Sequence, residues 1–479
     1  MPEQTWIAIT FITFLLLFIA VGILSSTRTS YTTTDYLLAS RSVNPWLTAL
    51  SAMATGQSGL LFVGQVGFAY EVGISSIWLV IGWAIGDYLA WWWVFKGLRR
   101  LSEATATETV SSFLSQEQKG KKVNRWITVT SALITIAFLV TYAAAQLVAG
   151  SKAVHAVFGW NYYMGIIAGA VIVAIYCFSG GIRASIWTDA VQATIMIGSL
   201  LLLLVVALIA CGGMGELWRA LGEIDSSLVA LNPPNLKFGI VPFFIGWMVA
   251  GFGAVGQPHI TVRAMAIDSP DNLMLARNLK IICGSVTSFS AIGVGLCARV
   301  QLPELIESGD PELALPYLSL ELLPVVLVGL MLAGLFSATI STADSQILSC
   351  SAALTQDLLP ATANSYRMAK MGTLTVTTIV LAIALTGSNN VFSLVTFSWS
   401  ALASSLGPLL VLRVWQKSVS VPVAIAMMIV GIAVAITWNI GLNLSGAIYE
   451  VLPGMTASFL VYGIANFFSN SGGKRASMN

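Results

Sequence analysis

The chain predicts an all-α polytopic membrane protein of about thirteen transmembrane helices, N-terminus outside and C-terminus inside, built around two five-helix repeats of opposite orientation. Three observations carry that expectation. The 479 residues are 57% hydrophobic and only 9% charged, with a mean hydropathy of +0.84, whereas about a quarter of a soluble domain is charged. Thirteen apolar runs come near the ~20 residues that cross a bilayer, and Lys and Arg collect on one side of them. Two of the runs, the second and the seventh, carry the same interruption by glycine and glutamine.

The first run, near 6–26, has no basic leader and no small-residue cleavage site, so it reads as a retained span, with residues 1–30 peripheral to the core. The second, near 45–69, contains AMATGQSGLLFVGQVGFAYEVG, in which Gly56, Gly59, Gly64 and Gly67 alternate with Thr55, Gln57, Ser58 and Gln65. Each glycine weakens a helix by about 1 kcal/mol relative to alanine. Small residues also permit close helix packing, but glutamine and serine beside them favour an unwound stretch lining a ligand, the setting in which irregular backbone is tolerated at membrane depth. The third run, 74–97, places Asp87 in GWAIGDYLAWWW, packed or functional. The loop 96–125 carries seven basic residues; it reads as a cytoplasmic segment near anionic lipid, not as a nucleic-acid site.

Runs near 126–150, 161–180 and 187–211 complete a first repeat, 43–212. The sixth opens on GGIRASIWTDAVQA, where Asp189 either binds an ion or pairs with Arg183. The seventh run, 238–260, opens the second repeat, 238–415, and its FFIGWMVAGFGAVGQPHITVRAMA breaks at Pro258, which lacks a backbone donor. Five spans separate the starts of the second and seventh runs, so the two cross in opposite directions. Paired discontinuous helices in inverted halves mark the binding site of a secondary transporter. Runs at 279–302, 323–350, 373–388 (the shortest) and 391–414 follow, then peripheral spans at 421–440 and 450–468 within 416–469, and a loose cytoplasmic tail, 470–479. An outside N-terminus leaves 19 of the 23 Lys and Arg inside, all but Lys152, Arg219, Lys237 and Arg299. Acids gather outside, with Glu304, Glu307, Asp310 and Glu312 in one loop. Loops 98–125, 212–237 and 303–322 have room for amphipathic helices only.

The ninth run ends in FSATISTADSQILSCS, a span crowded with hydroxyls around one carboxylate, Asp344. A charge at the bilayer centre costs about 2.5–3.5 kcal/mol or more. On a helix Ala338, Ser341, Thr342 and Ser345 share one stripe, at i, i+3, i+4 and i+7. Hydroxyl and carbonyl oxygens suit hard cations, and unwound carbonyls are where transporters hold sodium, although a lone Ser or Thr in a span often bonds only its own i−4 carbonyl. The opposite directions of the sixth and ninth spans put Asp189 and Asp344 at a similar depth.

The pieces ALSAMATGQSG, GGIRASIWTDAVQA, GQPHITVRAMA and STADSQILSCSAALTQDL resemble the sodium/solute symporter family, most closely its bacterial sodium/proline symporters, over residues 30 to 415. The resemblance implies a leucine-transporter-type core and alternating access driven by sodium. It places a sodium ion on the carbonyls of Ala54, Gln57 and Ala338 and the hydroxyls of Ser341 and Thr342, and a second ion near Asp189, Asp344 and Ser345. The solute would lie near Thr55, Ser58, Gly59, Tyr142, Ala254, Gln257 and Pro258. Two departures stand out. Gly56 replaces the proline carriers' aspartate, for which Asp344 would compensate where they have serine. Ala250 and Ala254 replace a Trp and a Tyr, leaving a roomier pocket that Trp247 would partly refill.

Cys177, Cys211, Cys283, Cys297 and Cys350 lie in apolar runs without CxxC spacing, as core residues. Two histidines, His155 and His259, and no HExxH argue against an intramembrane enzyme. The expectation is therefore a monomeric, multi-pass plasma-membrane symporter surrounded by lipid, importing proline or another amino acid with sodium and no organic cofactor. The alternatives are an organic acid or other solute, proton coupling, or a solute sensor.

Overall fold

The computed structural model describes all residues except 1–2, 28–29, 118–119, 234–235, 306–309, 364, 388–389 and 477–479; Glu307 and the end of the tail therefore lie outside the described residues. The chain folds as helices in sequence: α1 (Glu3–Ser26), α2 (Pro45–Gly59, continued by Leu60–Gln65 and Val66–Val72), α3 (Ile77–Ala90, continued to Ala104), α4 (Arg125–Phe158), α5 (Tyr162–Ala210), α6 (Ile240–Phe252, continued by Gly253–Gly256 and Pro258–Ala266), α7 (Leu273–Gln301), α8 (Val325–Ala352), α9 (Tyr366–Thr386), α10 (Val391–Val414), α11 (Val421–Ile436) and α12 (Val451–Ala476). Asparagine sets four of the starts. Asn44, Asn124, Asn161 and Asn390 each accept a backbone N–H of the first turn, of α2, α4, α5 and α10, a cap worth about 1 kcal/mol.

Ten helical stretches among the described residues are long and apolar enough to cross a membrane, and α6, bent by 60°, makes an eleventh. Two of the ten, Pro45–Ala104 and Tyr162–Ala210, are 60 and 49 residues long, well beyond the ~20 a bilayer needs. Each turns once. Gly73 takes φ 71° between α2 and α3, and α5 turns at Gly181, with φ 57° and ψ −142°. A side chain at Gly181 would stand 2.4 Å from the Tyr36 carbonyl, so the close approach of the short helix Thr33–Leu38 to α5 requires glycine.

Two expected boundaries move. α9 begins at Tyr366 and not near 373, because Ser365 caps it by accepting the Met368 N–H, and Lys370 within this first part sets its charge over the rings of Phe178 (4.1 Å) and Tyr366 (5.4 Å). The expected loose tail carries on as helix to Ala476, since propagating a formed helix costs far less than nucleating one. The loops hold short helices, Val110–Leu114, Met214–Ile224 and Ala314–Leu322, and one small antiparallel ribbon, Gln116–Glu117 with Gly120–Val123. α8 is among the most enclosed elements. It packs on α1, α2, α4, α5 and α9, and every residue from Met331 to Leu348 is buried.

Candidate functional site between the broken helices

α2 is helical as far as Gln57 and then turns through Ser58, at φ 55° and ψ −175°. A break of this kind frees the carbonyls of the preceding turn. α8 lies against them. Thr342 Oγ1 donates to the carbonyls of Thr55 (3.0 Å) and Ala338 (3.1 Å), and Ser341 Oγ to that of Ala338 (3.2 Å). Ala54, Thr55, Ala338, Ser341 and Thr342 are all buried. The Gln57 carbonyl accepts the Leu60 N–H, while its amide turns to α7, donating to the Gly284 carbonyl (3.0 Å) and accepting from Ser288 (3.3 Å). The cluster offers hydroxyl and carbonyl oxygen alone, the donor chemistry of a hard monovalent cation. These residues fit sodium.

Asp189, Asp344 and Ser345 also converge, all buried. Ser185 and Ser345 donate to Asp344 Oδ1 at 3.0 and 2.6 Å, and Thr55 Oγ1 lies 3.4 Å from Asp189 Oδ2. The middle of this cluster is held by Arg263 of α6, a residue the sequence reading passed over. Its buried guanidinium donates to Asp189 Oδ2 (3.0 Å), Ser51 (2.9 Å), Ser185 (3.2 Å), Ser345 and the His259 carbonyl. A tethered cation thus occupies the space between the acids. Asp189 Oδ1 and Asp344 Oδ2 remain buried without a partner among the described residues. Arg183 pairs not with Asp189 but with Asp35, at 2.5 Å, because residues six apart on a helix face different sides. Asp35 lies in the loop before α2: burial pushes its carboxyl up, but the hydrogen bonds from Arg183, the Ser30 N–H and Ser40 outweigh this and hold it below the usual range.

The expected solute residues meet, but as packed interior. Tyr142 directs its hydroxyl at Ser58 Oγ (3.5 Å), and the Gly59 N–H donates to Gln146 Oε1 (2.7 Å). A side chain at Gly59 would meet Ala149 and Thr339 at 2.9 Å. Gln257 donates to the Trp399 carbonyl and the Trp399 indole to the Ala250 carbonyl, each at 2.9 Å. Ala254 and Pro258 are buried beside them. The room expected beside Ala250 and Ala254 is therefore closed by Trp399 of α10, as close packing of the interior requires. Trp247 does not refill it, being stacked on Tyr449 at 4.6 Å.

Pro258, Arg263 and Ser345 border a small cavity of about 30 Å³, and a larger one, of about 60 Å³, lies on the other face of α2, bounded by Gly56, Gln57, Trp83, Asp87, Lys280 and Ser288. Asp87 and Lys280 form an ion pair across it. A side chain at Gly56 would stand 3.9 Å from the Lys280 ammonium. The group that faces Gly56 is thus Lys280, and Asp344, expected to compensate for the missing aspartate, is bound into the Arg263 cluster instead. Lys280 and Arg263 were both absorbed by the count of cytoplasmic basic residues. Their signal is position, within three residues of the end of an apolar run.

The family model described as "Sodium:solute symporter family" matches residues 36–431. The "High-affinity proline transporter PutP" of Bacillus subtilis (strain 168) is 30% identical, over 92% of this chain and 93% of its own length. The "Sodium/proline symporter" of Escherichia coli (strain K12) is 30% identical, over 95% and 91%. Among solved structures, a Na+-coupled sialic acid symporter in a substrate-bound outward-open state superposes with a TM-score of 0.76 at 18% identity, over 95% of this chain and 98% of that one. A closed nucleobase-cation-symport-1 family transporter follows at 0.54 and 15%, over 90% and 95%. The fold is thus the leucine-transporter type of sodium-coupled carriers. With the family model covering most of its length, the chain belongs to the sodium:solute symporter family, a multi-pass plasma-membrane transporter, not an enzyme, that couples sodium to the passage of a small solute.

Proposed function

We propose that the solute is proline or another small amino acid, and that the coupling sodium sits where α8 closes on the break of α2. The observation that carries the ion assignment is the convergence of Ser341 and Thr342 on the freed carbonyls of the helix end before Ser58. In this reading the carbonyls of Ala54, Gln57 and Ala338 and the two hydroxyls hold the ion. Asp189, Asp344 and Ser345 serve a second cation only when Arg263 withdraws. The names of the two relatives support the amino-acid class.

The same reading takes the chain across the bilayer thirteen times, N-terminus outside, by dividing the two overlong helical stretches at Gly73 and Gly181 and counting α6 once. The inverted repeats are then 43–212 and 238–415, with α1, α11 and α12 at the periphery, lipid around them, and the protein working as a monomer. The test is proline uptake by proteoliposomes under an inward sodium gradient, compared with an equal potassium gradient. Sodium-dependent accumulation that collapses with a sodium ionophore is the expected result. Equal uptake in both gradients would overturn sodium coupling, and no uptake would redirect the search to other amino acids and organic acids.

A further inference from the structure

The ion pair in the cavity has an unusual setting. Asp87 is 3% and Lys280 7% exposed, and the two are the charged residues on its walls. Asp87 Oδ2 takes the ammonium, whereas Oδ1 is buried with no partner among the described residues. Lys280 carries three donors, and the hydrogen bond to Asp87 uses one of them. No side chain crowds the ammonium from α2, because residue 56 is glycine. The remaining wall is uncharged: Gln57, Gln65, Ser285 and Ser288 supply its polar part, and the rest is apolar and aromatic, with Trp83 and Trp399 in contact at 4.7 Å. The cavity is well above the ~10–15 Å³ that a site needs to hold a water molecule.

A purely structural ion pair is poorly served by this arrangement. Desolvating two charges is costly unless their remaining donors and acceptors are also met, and here a carboxylate oxygen and ammonium protons are left over beside empty space. We infer that Asp87 and Lys280 are the recognition pair for a small zwitterion, Lys280 taking its carboxylate and Asp87 its ammonium, with the ligand's side chain against Trp83 and Trp399. A zwitterion can insert because it replaces each partner's charge with one of the same sign, so the cavity stays neutral. A ligand with only a carboxylate meets the negative charge of Asp87, and one with only an amine meets Lys280. The discrimination therefore works by repulsion as well as attraction. This rests on the symport reading and narrows it to a neutral α-amino or imino acid with both charges, held on the Gly56 face of α2, away from the packed residues Ser58, Tyr142 and Gln257.

The test measures thermal stabilisation of the purified, detergent-solubilised protein by sodium alone, and then, with sodium present, by L-proline and the other neutral amino acids. Each is compared with the amine lacking its carboxylate and the acid lacking its amine. At least one amino acid stabilises the wild type, with half-effect at least 100-fold below that of either fragment. Asp87→Asn/Lys280→Gln, which removes both charges together and so leaves neither buried alone, loses that response at least 100-fold yet keeps the shift given by sodium. An unchanged amino-acid response in the double variant overturns the inference, as does a des-amino acid that binds like its parent, or a wild type stabilised by sodium but by no amino acid. Amino-acid stabilisation without any sodium effect would instead count against sodium coupling and leave the recognition pair standing. If the double variant fails to fold, Lys280→Arg decides: a bidentate guanidinium keeps the carboxylate partner, so amino-acid binding persists within about tenfold, and its complete loss in a folded protein overturns the inference.

Discussion

Ser341 and Thr342 are the residues on which ion selectivity is proposed to turn. Ser341→Ala and Thr342→Ala should each raise the sodium concentration for half-maximal uptake at least tenfold, while solute affinity at saturating sodium changes by less than threefold. A loss of tenfold corresponds to about 1.4 kcal/mol, the scale of one hydrogen bond or ion ligand. Equal losses in both quantities would mean that the hydroxyls only pack. These two residues were legible in the sequence because a stripe at i, i+3, i+4 and i+7 is a local property of one helix. Arg263 and Lys280 were not, since the turning of a basic side chain into the bundle is decided by which helices pack against it, and a tally of charges by membrane side hides it. Asp35 gives a pH test outside the bilayer. Its carboxyl is held low in the folded protein, so the stability it supplies is present above the unfolded value near 3.8 and is lost as pH falls through the folded one. Asp35→Asn should lower the Tm at pH 7, and the difference from wild type should begin to shrink as the pH drops below about 4 and vanish once it lies below the lowered folded value.

Breaks rather than lengths make these helices functional, and the chemistry of a break is mostly local. Gly251, Gly253, Gly256 and Pro258 announce the bend of α6, and Ser58 with its glycine neighbours that of α2, which is why both were readable. What no local pattern gives is where the freed groups go. The packing of α8 on the one break and of Trp399 on the other fixes that, and so the cavity lay on the face of α2 that was not expected. Gly181 offers a test of a required break. Gly181→Ala places a methyl 2.4 Å from the Tyr36 carbonyl at φ 57°, and should destabilise by about 1–3 kcal/mol or more. Gly198 in the same helix has nothing within 4 Å of its added methyl, and Gly198→Ala should be neutral or stabilise by up to about 1 kcal/mol. The Tm in detergent distinguishes them, and similar values for both variants would mean that α5 tolerates a straight path.

At the scale of the molecule, ties join the helices at both ends of the bundle. On the side proposed as outer, Lys152 of α4 bridges Asp310 and Glu312, and Glu312 accepts the Phe392 N–H at the start of α10 (2.9 Å). On the opposite side Asp357 accepts from Thr109 (2.8 Å), Arg125 donates to the Asp357 and Leu358 carbonyls, and Arg413 donates to the Leu114 carbonyl (2.9 Å). A carrier must release one set before the other. Sodium and solute both enter a symporter from outside, so each binds only the fraction of molecules open there, and the apparent dissociation constant of each is its intrinsic value divided by that fraction. Glu312→Gln keeps an acceptor for the Phe392 N–H but weakens the bridge to Lys152, and so should raise the outward-open fraction. If the tie loses about 1.4 kcal/mol, both constants fall by up to tenfold, and they fall by one common factor. The contrast with Ser341→Ala, which moves the sodium constant alone, separates a residue that sets the conformational balance from one that touches the ion. Paired titrations of sodium and solute on the two variants measure both factors, and a Glu312→Gln protein whose two constants shift by different factors would show that the outer tie does more than hold the gate.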